Sequence, residues 1–390
     1  MSGSYSAVLN AGFRPFFTVA AVYSVLATAG WLGAWLSGLA WPGGSLAAMT
    51  WHAHEMVFGY AMAVVAGFLL TATRNWTGVQ TLRGVPLLLL ACCWLAARIL
   101  LALGDGVPLS WAAVADCLFN ALLLAAIACP VIRVRQYRQI GILSKVALLL
   151  LANLLFYAGM LGLLPQGARA GLYTGIYMLL ALILVMARRV LPFFIEKGLG
   201  VPELRNRTWL DVSSLVLFLV FWIADVWRPD SAFVAVLAGL LCALHGLRLA
   251  GWYHPGLLRQ PLLWVLFLAY LALVLGFALK AGVYLFGLSP MAALHAFTYG
   301  GIGLFTLGMM VRVTLAHTGR DISRPPAGVA AMFGMLVAGT LLRVLLPLLD
   351  PLHQTLWMVL AGCFWLVPFG MFLMIFVPML LQPRIDGQPG

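Results

Sequence analysis

The chain has 390 residues, of which 64% are hydrophobic and 9% charged. A soluble domain carries roughly 25% charged residues, and a helix that crosses a bilayer needs about 20 mostly apolar residues, so the apolar content suffices for about twelve crossings. This composition excludes a soluble enzyme, a secreted disulfide scaffold and a disordered protein. The net charge of +12 comes from basic residues scattered singly, a pattern typical of cytoplasmic membrane loops rather than of nucleic-acid binding.

Charges, prolines and glycines divide the sequence into twelve predicted transmembrane helices. In chain order they cover residues 16–39, 51–73, 85–103, 111–132, 144–164, 168–188, 209–227, 231–249, 262–286, 290–316, 327–349 and 354–381. The sequence therefore predicts an all-α polytopic membrane protein with a single transmembrane domain over residues 1–390.

The distribution of basic residues predicts the orientation of these helices. If the N-terminus is cytoplasmic, the basic residues on the outer side are Arg98, Arg169, Arg228, Lys280 and Arg343. All other Lys and Arg residues then lie on the cytoplasmic side. Because cytoplasmic loops are enriched in positive charge, both termini are predicted to be cytoplasmic.

The second and tenth predicted helices share a sequence pattern. One contains His54, Phe58-Gly59, Gly67 and Thr77-Gly78, and the other, at identical spacing, contains His295, Tyr299-Gly300, Gly308 and Thr318-Gly319. The helices that follow them match as well, with Arg98 and Asp105 in one and Arg343 and Asp350 in the other. This pattern predicts three four-helix pseudo-repeats, roughly 1–135, 136–255 and 256–390, in which His54 and His295 face one another.

Ionisable side chains inside a bilayer are costly and are usually functional. In the predicted outer half they are His52, His54, Glu55, Asp116 and His295. Neutral imidazole binds haem iron and copper, so His54 and His295 are predicted to be an axial pair, or one axial ligand and one distal group. His52 lies on another face of the helix and is predicted to bind copper or to support the site, together with Glu55. The alternative is a polar helix start at the interface.

Other residues are candidates for a supporting role. Arg98 and Arg343 are predicted to hold haem propionates through forked hydrogen bonds. The alternatives are snorkelling or ion pairs with Asp105 and Asp350. Further candidates are Tyr299 as a supporting residue and, secondarily, Arg14, Asp116, Arg312 and His317. The remaining histidines, His245, His254 and His353, are predicted to be surface residues.

Several motifs together resemble the NnrS family across essentially the whole chain. They are Gly12-Phe13-Arg14-Pro15-Phe16-Phe17, Trp51-His52-Ala53-His54-Glu55-Met56, Arg74-Asn75-Trp76-Thr77-Gly78, His295-Ala296-Phe297-Thr298 and Ala316-His317-Thr318-Gly319-Arg320. The resemblance implies a multi-pass protein of the bacterial inner membrane that holds haem b and copper and is linked to nitric oxide and nitrosative stress. It does not assign the metal-binding residues.

The resulting functional prediction is a haem membrane metalloprotein. It would bind nitric oxide or another small gas, or reduce it with electrons from an unidentified donor, and would limit nitrosative damage. Two alternatives stay open. Twelve helices with internal repeats also occur in secondary transporters, and the chain could serve as an assembly factor for another haem enzyme.

Overall fold

The computed structural model describes residues 7–38, 44, 46–204 and 207–388. Within these residues, twelve helices are long and apolar enough to cross a membrane. They are α1 Phe13–Ser37, α2 Ala48–Thr77, α3 Val85–Ala102, α4 Leu109–Arg133, α5 Tyr137–Met160, α6 Gly167–Leu199, α7 Thr208–Trp227, α8 Ala232–Trp252, α9 Pro261–Phe286, α10 Pro290–His317, α11 Val329–Leu349 and α12 Pro351–Leu381. The predicted number of crossings and the all-α class are confirmed.

The largest difference from the predicted boundaries is in α6. The prediction ends this helix at residue 188, where two arginines and then a proline interrupt the apolar sequence. The helix instead continues to Leu199 with Pro192 inside it. Arg188 forms an ion pair with Asp211 of α7, so its charge has a partner and does not require the helix to end.

Packing divides the chain into two compact units, each built from separate segments. Unit 1 comprises Met1–Leu179, Met310–Asp321 and Phe369–Gly390, and unit 2 comprises Leu180–Met309 and Ile322–Pro368. The three pseudo-repeats expected from sequence follow a different division of the chain and stay a prediction.

Two helices, α2 and α10, change to π-helical geometry directly after His54 and His295, the two histidines of the matched sequence pattern. The π segments are Glu55–Ala61 and Ala296–Gly303. In the most apolar windows of these helices, 83% and 89% of the residues are buried, against at most 67% elsewhere. The two matched helices therefore share a backbone irregularity as well as a sequence pattern. Since π segments often occur at functional sites, the residues around them are candidates for a functional role.

Glycines allow close packing around both π segments. An added Cβ at Gly67 would lie 2.8 Å from Phe17, and one at Gly300 would lie 2.8 Å from Thr340. Small residues of this kind let membrane helices approach closely. Exposed Leu89 and Met374 instead place apolar surface where lipid would cover it, as expected of a membrane protein.

Candidate functional site

Four charged side chains from three helices form a buried cluster in unit 1, here called the buried quartet. Its members are His54 and Glu55 of α2, Arg98 of α3 and Asp116 of α4, none more than 3% exposed. Arg98 Nε lies 3.0 Å from Glu55 Oε2, and Arg98 Nη2 lies 2.7 Å from Asp116 Oδ2. The quartet therefore connects the three helices through a guanidinium that lies between two carboxylates.

Polar side chains from α1 and α5 complete the contacts of this cluster. The Tyr23 hydroxyl donates a hydrogen bond to Glu55 Oε2, and the Tyr157 hydroxyl donates to Asp116 Oδ2 at 3.1 Å. Asn153 Oδ1 lies 3.0 Å from His54 Nε2. Buried charges need such partners because an unpaired charge in a low-dielectric interior is very costly.

The π segment of α2 provides the room that the quartet occupies. At Gly59 an added Cβ would lie 2.7 Å from the Tyr23 ring and 3.2 Å from both Arg98 Nη1 and Glu55 Oε2. The Gly59 carbonyl accepts a hydrogen bond from the Trp94 indole at 3.0 Å. A glycine at this position therefore admits the charged groups, and an indole binds the adjacent backbone.

The contacts of His54 determine what its imidazole can do. Its Nδ1 lies 2.8 Å from Glu55 Oε1, and its Nε2 lies 3.4 Å from Asp116 Oδ2. A neutral imidazole donates from one nitrogen, whereas an imidazolium donates from both. A carboxylate oxygen lies near each nitrogen, so both nitrogens are directed at oxygen atoms of the protein and the imidazole links α2 to α4.

This arrangement does not fit the predicted role of His54 as an axial haem ligand. Iron ligation requires a nitrogen lone pair directed at the metal, and both nitrogens of His54 face oxygen atoms of the protein. Its ring is also stacked on Phe156, with ring centroids 4.2 Å apart. His54 belongs to unit 1 and His295 to unit 2, and their pairing stays a prediction.

His295 has a different environment, and that environment fits a metal ligand. Its Nδ1 donates a hydrogen bond to the Met291 carbonyl at 2.8 Å, one turn earlier in α10. Such a bond fixes the proton on Nδ1 and makes Nε2 the nitrogen that carries the lone pair. Histidines that ligate metals usually have their other nitrogen held in this way.

The predicted companions of His295 lie in the same unit. The Tyr299 hydroxyl donates to the Ala361 carbonyl at 2.8 Å, and its ring packs edge-on against Trp365. Arg343 of α11 interacts electrostatically with Tyr299. Asp350, the alternative partner predicted for Arg343, instead pairs with His353 at 2.8 Å.

The remaining predicted site residues are dispersed. His52 is half-buried and stacks on Trp31, with centroids 4.4 Å apart. Arg98 pairs with Glu55 and Asp116, not with the predicted Asp105. Among the described residues, no group of three or more His, Cys, Asp and Glu side chains is placed to hold a metal ion, so the copper prediction depends on His52.

Three of the secondary candidates lie at helix ends, Arg14 at the start of α1 and Arg312 and His317 near the end of α10. Arg14 is 1% exposed, and its Nη1 donates to the carbonyls of Leu380 and Gln382 at the end of α12. This contact gives Arg14 a structural role as a helix cap. Arg312 and His317 are half-buried in α10, and the His317 ring lies 5.5 Å from that of Phe13.

Sequence reasoning missed a second buried network in unit 2. Arg248 Nη2 contacts Asp211 Oδ1 at 3.0 Å and Ser214 Oγ at 2.9 Å. His245 Nδ1 lies 2.6 Å from the Tyr270 hydroxyl, and His245 is 1% exposed. The prediction that His245 is a surface residue is therefore wrong, and its helical spacing from Arg248 is the signal that could have indicated a shared network.

An isolated ion pair in unit 2 was also missed. Lys280 Nζ of α9 lies 2.6 Å from Asp225 Oδ1 of α7, and Asp225 is fully buried. The sequence places Lys280 on the outer side and assigns it no partner. The available signal was the Asp225 carboxylate at the end of a long apolar stretch of α7, because such a charge needs a partner.

Twelve apolar helices with charged side chains buried among them define a polytopic α-helical membrane protein. Within that class, comparison with known protein families assigns the chain to one family. The family model described as NnrS protein matches residues 7–384, and the chain belongs to the NnrS family. No curated protein matches the chain.

Proposed function

We propose that this protein is a haem-containing protein of the bacterial inner membrane that binds nitric oxide, or passes electrons to it, and so supports resistance to nitrosative stress. Membership of the NnrS family supports the link to nitric oxide. The observation that carries the haem assignment is the hydrogen bond from His295 Nδ1 to the Met291 carbonyl, because it presents Nε2 as a ligand. Haem b, when bound, would supply an iron centre suited to gas binding or electron transfer.

Two side chains of the same unit as His295 have chemistry that suits the rest of such a site. Arg343 carries a guanidinium that can form forked hydrogen bonds with a propionate. The Tyr299 hydroxyl donates a hydrogen bond to the Ala361 carbonyl, which fixes the orientation of its ring. In this proposal His295 is the ligand of the haem iron, Arg343 binds a haem propionate and Tyr299 packs beside the haem.

The buried quartet has a separate role in the proposal. His54 lies between Glu55 and Asp116, and Arg98 pairs with both carboxylates. The cluster thereby fixes the helices around the π segment of α2. Copper is proposed at His52, whose ring is oriented by stacking on Trp31.

Visible absorption spectra of the purified protein test the haem proposal. The oxidised and reduced protein should show a Soret band that shifts when nitric oxide is added. His295→Ala should abolish this band, whereas the matched control His353→Ala should retain it, because His353 is exposed and pairs with Asp350. A full band in His295→Ala would refute the ligand assignment, and a colourless wild-type protein would refute haem binding.

Elemental analysis of the same preparations tests the copper proposal separately. His52→Ala should lose copper and keep the Soret band. If wild-type protein and His52→Ala hold equal amounts of copper, then His52 is not the copper ligand.

A secondary transporter is the second candidate, and two observations favour it. Buried charges and irregular helix segments are features of carrier sites in membranes, and α2 has both, in Glu55 and in the π segment Glu55–Ala61. A protein that stays colourless and metal-free after expression with added haem precursor and copper would favour this candidate. A protein that carries haem and donates it to an apo-enzyme would favour the assembly-factor alternative.

A further inference from the structure

A cluster of basic side chains lies at the end of unit 1 where α1 begins and where α2, α10 and α12 end. Arg14 is an electrostatic neighbour of Arg320 and Arg384. His317 is an electrostatic neighbour of Arg14, Arg74 and Arg384. Four guanidinium groups and one imidazole are thus brought together from four separate segments of the chain.

Positive charge exceeds negative charge in this cluster. Asp386 pairs with Arg384, whose Nη2 lies 2.5 Å from Asp386 Oδ2. The hydrogen bond from Arg384 lowers the pKa of Asp386 to about 2, so this carboxylate is ionised at neutral pH. Even if Asp321, which follows Arg320 in sequence, is counted with Asp386, the described part of this region has two carboxylates for four guanidinium groups, so positive charge is in excess.

Capping of the helix ends does not account for this surplus. The end of α2 is closed by the Gly78 N–H, which donates to the Arg74 carbonyl at 2.9 Å. The end of α10 is closed by the Arg320 N–H, which donates to the Leu315 carbonyl at 2.9 Å. Backbone groups therefore close these two ends, and Arg384 Nη1 adds a hydrogen bond of 3.4 Å to the His317 carbonyl. Arg14 and Arg384 thus have capping contacts, whereas Arg320 Nη1 has no acceptor among the described residues.

Two guanidinium nitrogens in the cluster are buried without a hydrogen-bond acceptor among the residues that the structure describes. They are Arg14 Nε and Arg320 Nη1. A buried donor without an acceptor costs about 1 to 3 kcal/mol, and more when the group is charged. An anion in contact with both would remove that cost and would balance the surplus charge.

We propose that Arg14, Arg74, Arg320, Arg384 and His317 form a binding site for a phosphate group. Guanidinium groups match phosphate oxygens in charge and in forked geometry. The cluster lies at helix ends, the depth at which lipid headgroups meet a membrane protein. The phosphate group can therefore belong to an anionic phospholipid or be a free phosphate ion, and these two sources can be distinguished by experiment.

The test measures thermal unfolding of the full-length protein, purified in detergent and stripped of lipid, at constant ionic strength. Phosphatidylglycerol, phosphatidylcholine and inorganic phosphate are titrated separately. A ligand that binds the folded state raises the unfolding temperature in a saturable way. Saturation with phosphatidylglycerol but not with phosphatidylcholine or phosphate identifies a lipid headgroup site, and saturation with inorganic phosphate identifies a free-phosphate site.

Variants separate this site from general attraction between charges. Arg320→Gln and Arg74→Gln should each weaken the apparent Kd about tenfold, because a charge-assisted hydrogen bond contributes at least the free energy of a tenfold change. Arg83→Gln is the matched control, since Arg83 is exposed and belongs to the same unit, and it should bind as the wild type does. Arg14 is left intact because it caps α12.

Three results would overturn the proposal. The first is that none of the three compounds gives a saturable rise in unfolding temperature. The second is that Arg320→Gln and Arg74→Gln bind as tightly as the wild type. The third is that Arg83→Gln weakens binding as much as they do, because the effect would then be an attraction to overall positive charge.

Discussion

Replacement of Arg98 by Met should destabilise the protein strongly. The change keeps much of the length of the side chain and removes the guanidinium that lies 3.0 Å from Glu55 and 2.7 Å from Asp116. Both carboxylates are fully buried, so the variant would leave two buried carboxylates without the guanidinium that pairs with them. Removal of one partner from a buried ion pair costs about 3 to 5 kcal/mol, and we expect Arg98→Met to lower the free energy of unfolding by that amount.

A double-mutant cycle isolates the interaction between Arg98 and Glu55. Glu55→Gln removes one negative charge and should also destabilise the protein, because Arg98 then loses one of its two carboxylate partners. The double variant Glu55→Gln/Arg98→Met removes one positive and one negative charge together, so the net charge of the quartet is that of the wild type. Its loss of stability should be smaller than the sum of the two single losses, by about 0.5 to 3 kcal/mol.

The assay is reversible unfolding of the purified protein in mixed micelles, followed by circular dichroism. Arg228→Met is the matched control because Arg228 is exposed, and it should change stability by less than about 0.5 kcal/mol. If Arg98→Met is no more destabilising than this control, or if the two single losses add without a remainder, then the quartet does not work as a coupled set of charges.

Three further changes test other parts of the structure by the same assay. Arg14→Met should cost about 2 to 3 kcal/mol, because charged hydrogen bonds to the end of α12 are lost, and an unchanged unfolding midpoint would contradict the capping role. Gly59→Ala should cost about 1 to 3 kcal/mol by overpacking against Tyr23, and a wild-type midpoint would show that the π segment has spare room. Lys280→Met should cost about 3 to 5 kcal/mol, and adding Asp225→Asn should recover part of that loss, so a further loss would contradict a buried ion pair.

The number of helices could be predicted from the sequence because each crossing is set by a local property. A run of about 20 apolar residues bounded by charge or proline specifies a membrane helix with no reference to the rest of the chain. The same local reasoning placed the end of α6 too early, at Arg188. That error arose because the charge of Arg188 is balanced by Asp211 on the next helix, which a local pattern does not contain.

The partners of the buried charges could not be predicted for the same reason. Asp105 was one alternative partner for Arg98, because the two are close in sequence, yet its partners are Glu55 and Asp116 on two other helices. Sequence reasoning identified both carboxylates as unusual, since charges in a bilayer are costly. It contained no information on the rotation of each helix about its axis, and that rotation determines which charges meet.

The π segments show a further limit of sequence periodicity. The matched spacing after His54 and His295 indicated a repeat, and spacing of that kind is interpreted with 3.6 residues per turn. A π turn holds an extra residue, so every side chain beyond Glu55 is rotated relative to a regular helix. Predictions of which residues share a face of α2 or α10 therefore apply to only one side of each π segment.

The two histidines of the matched sequence pattern, His54 and His295, have different hydrogen-bond partners. His54 is followed by Glu55, whose carboxylate lies 2.8 Å from Nδ1, whereas His295 is followed by Ala296 and donates to a backbone carbonyl. At His54 both nitrogens have oxygen partners within the protein, whereas at His295 the hydrogen bond fixes the proton on Nδ1. The acidic residue that follows His54 is therefore one part of the difference between the two positions, and the proposed ligand role of His295 goes with the apolar Ala296 at the matched position.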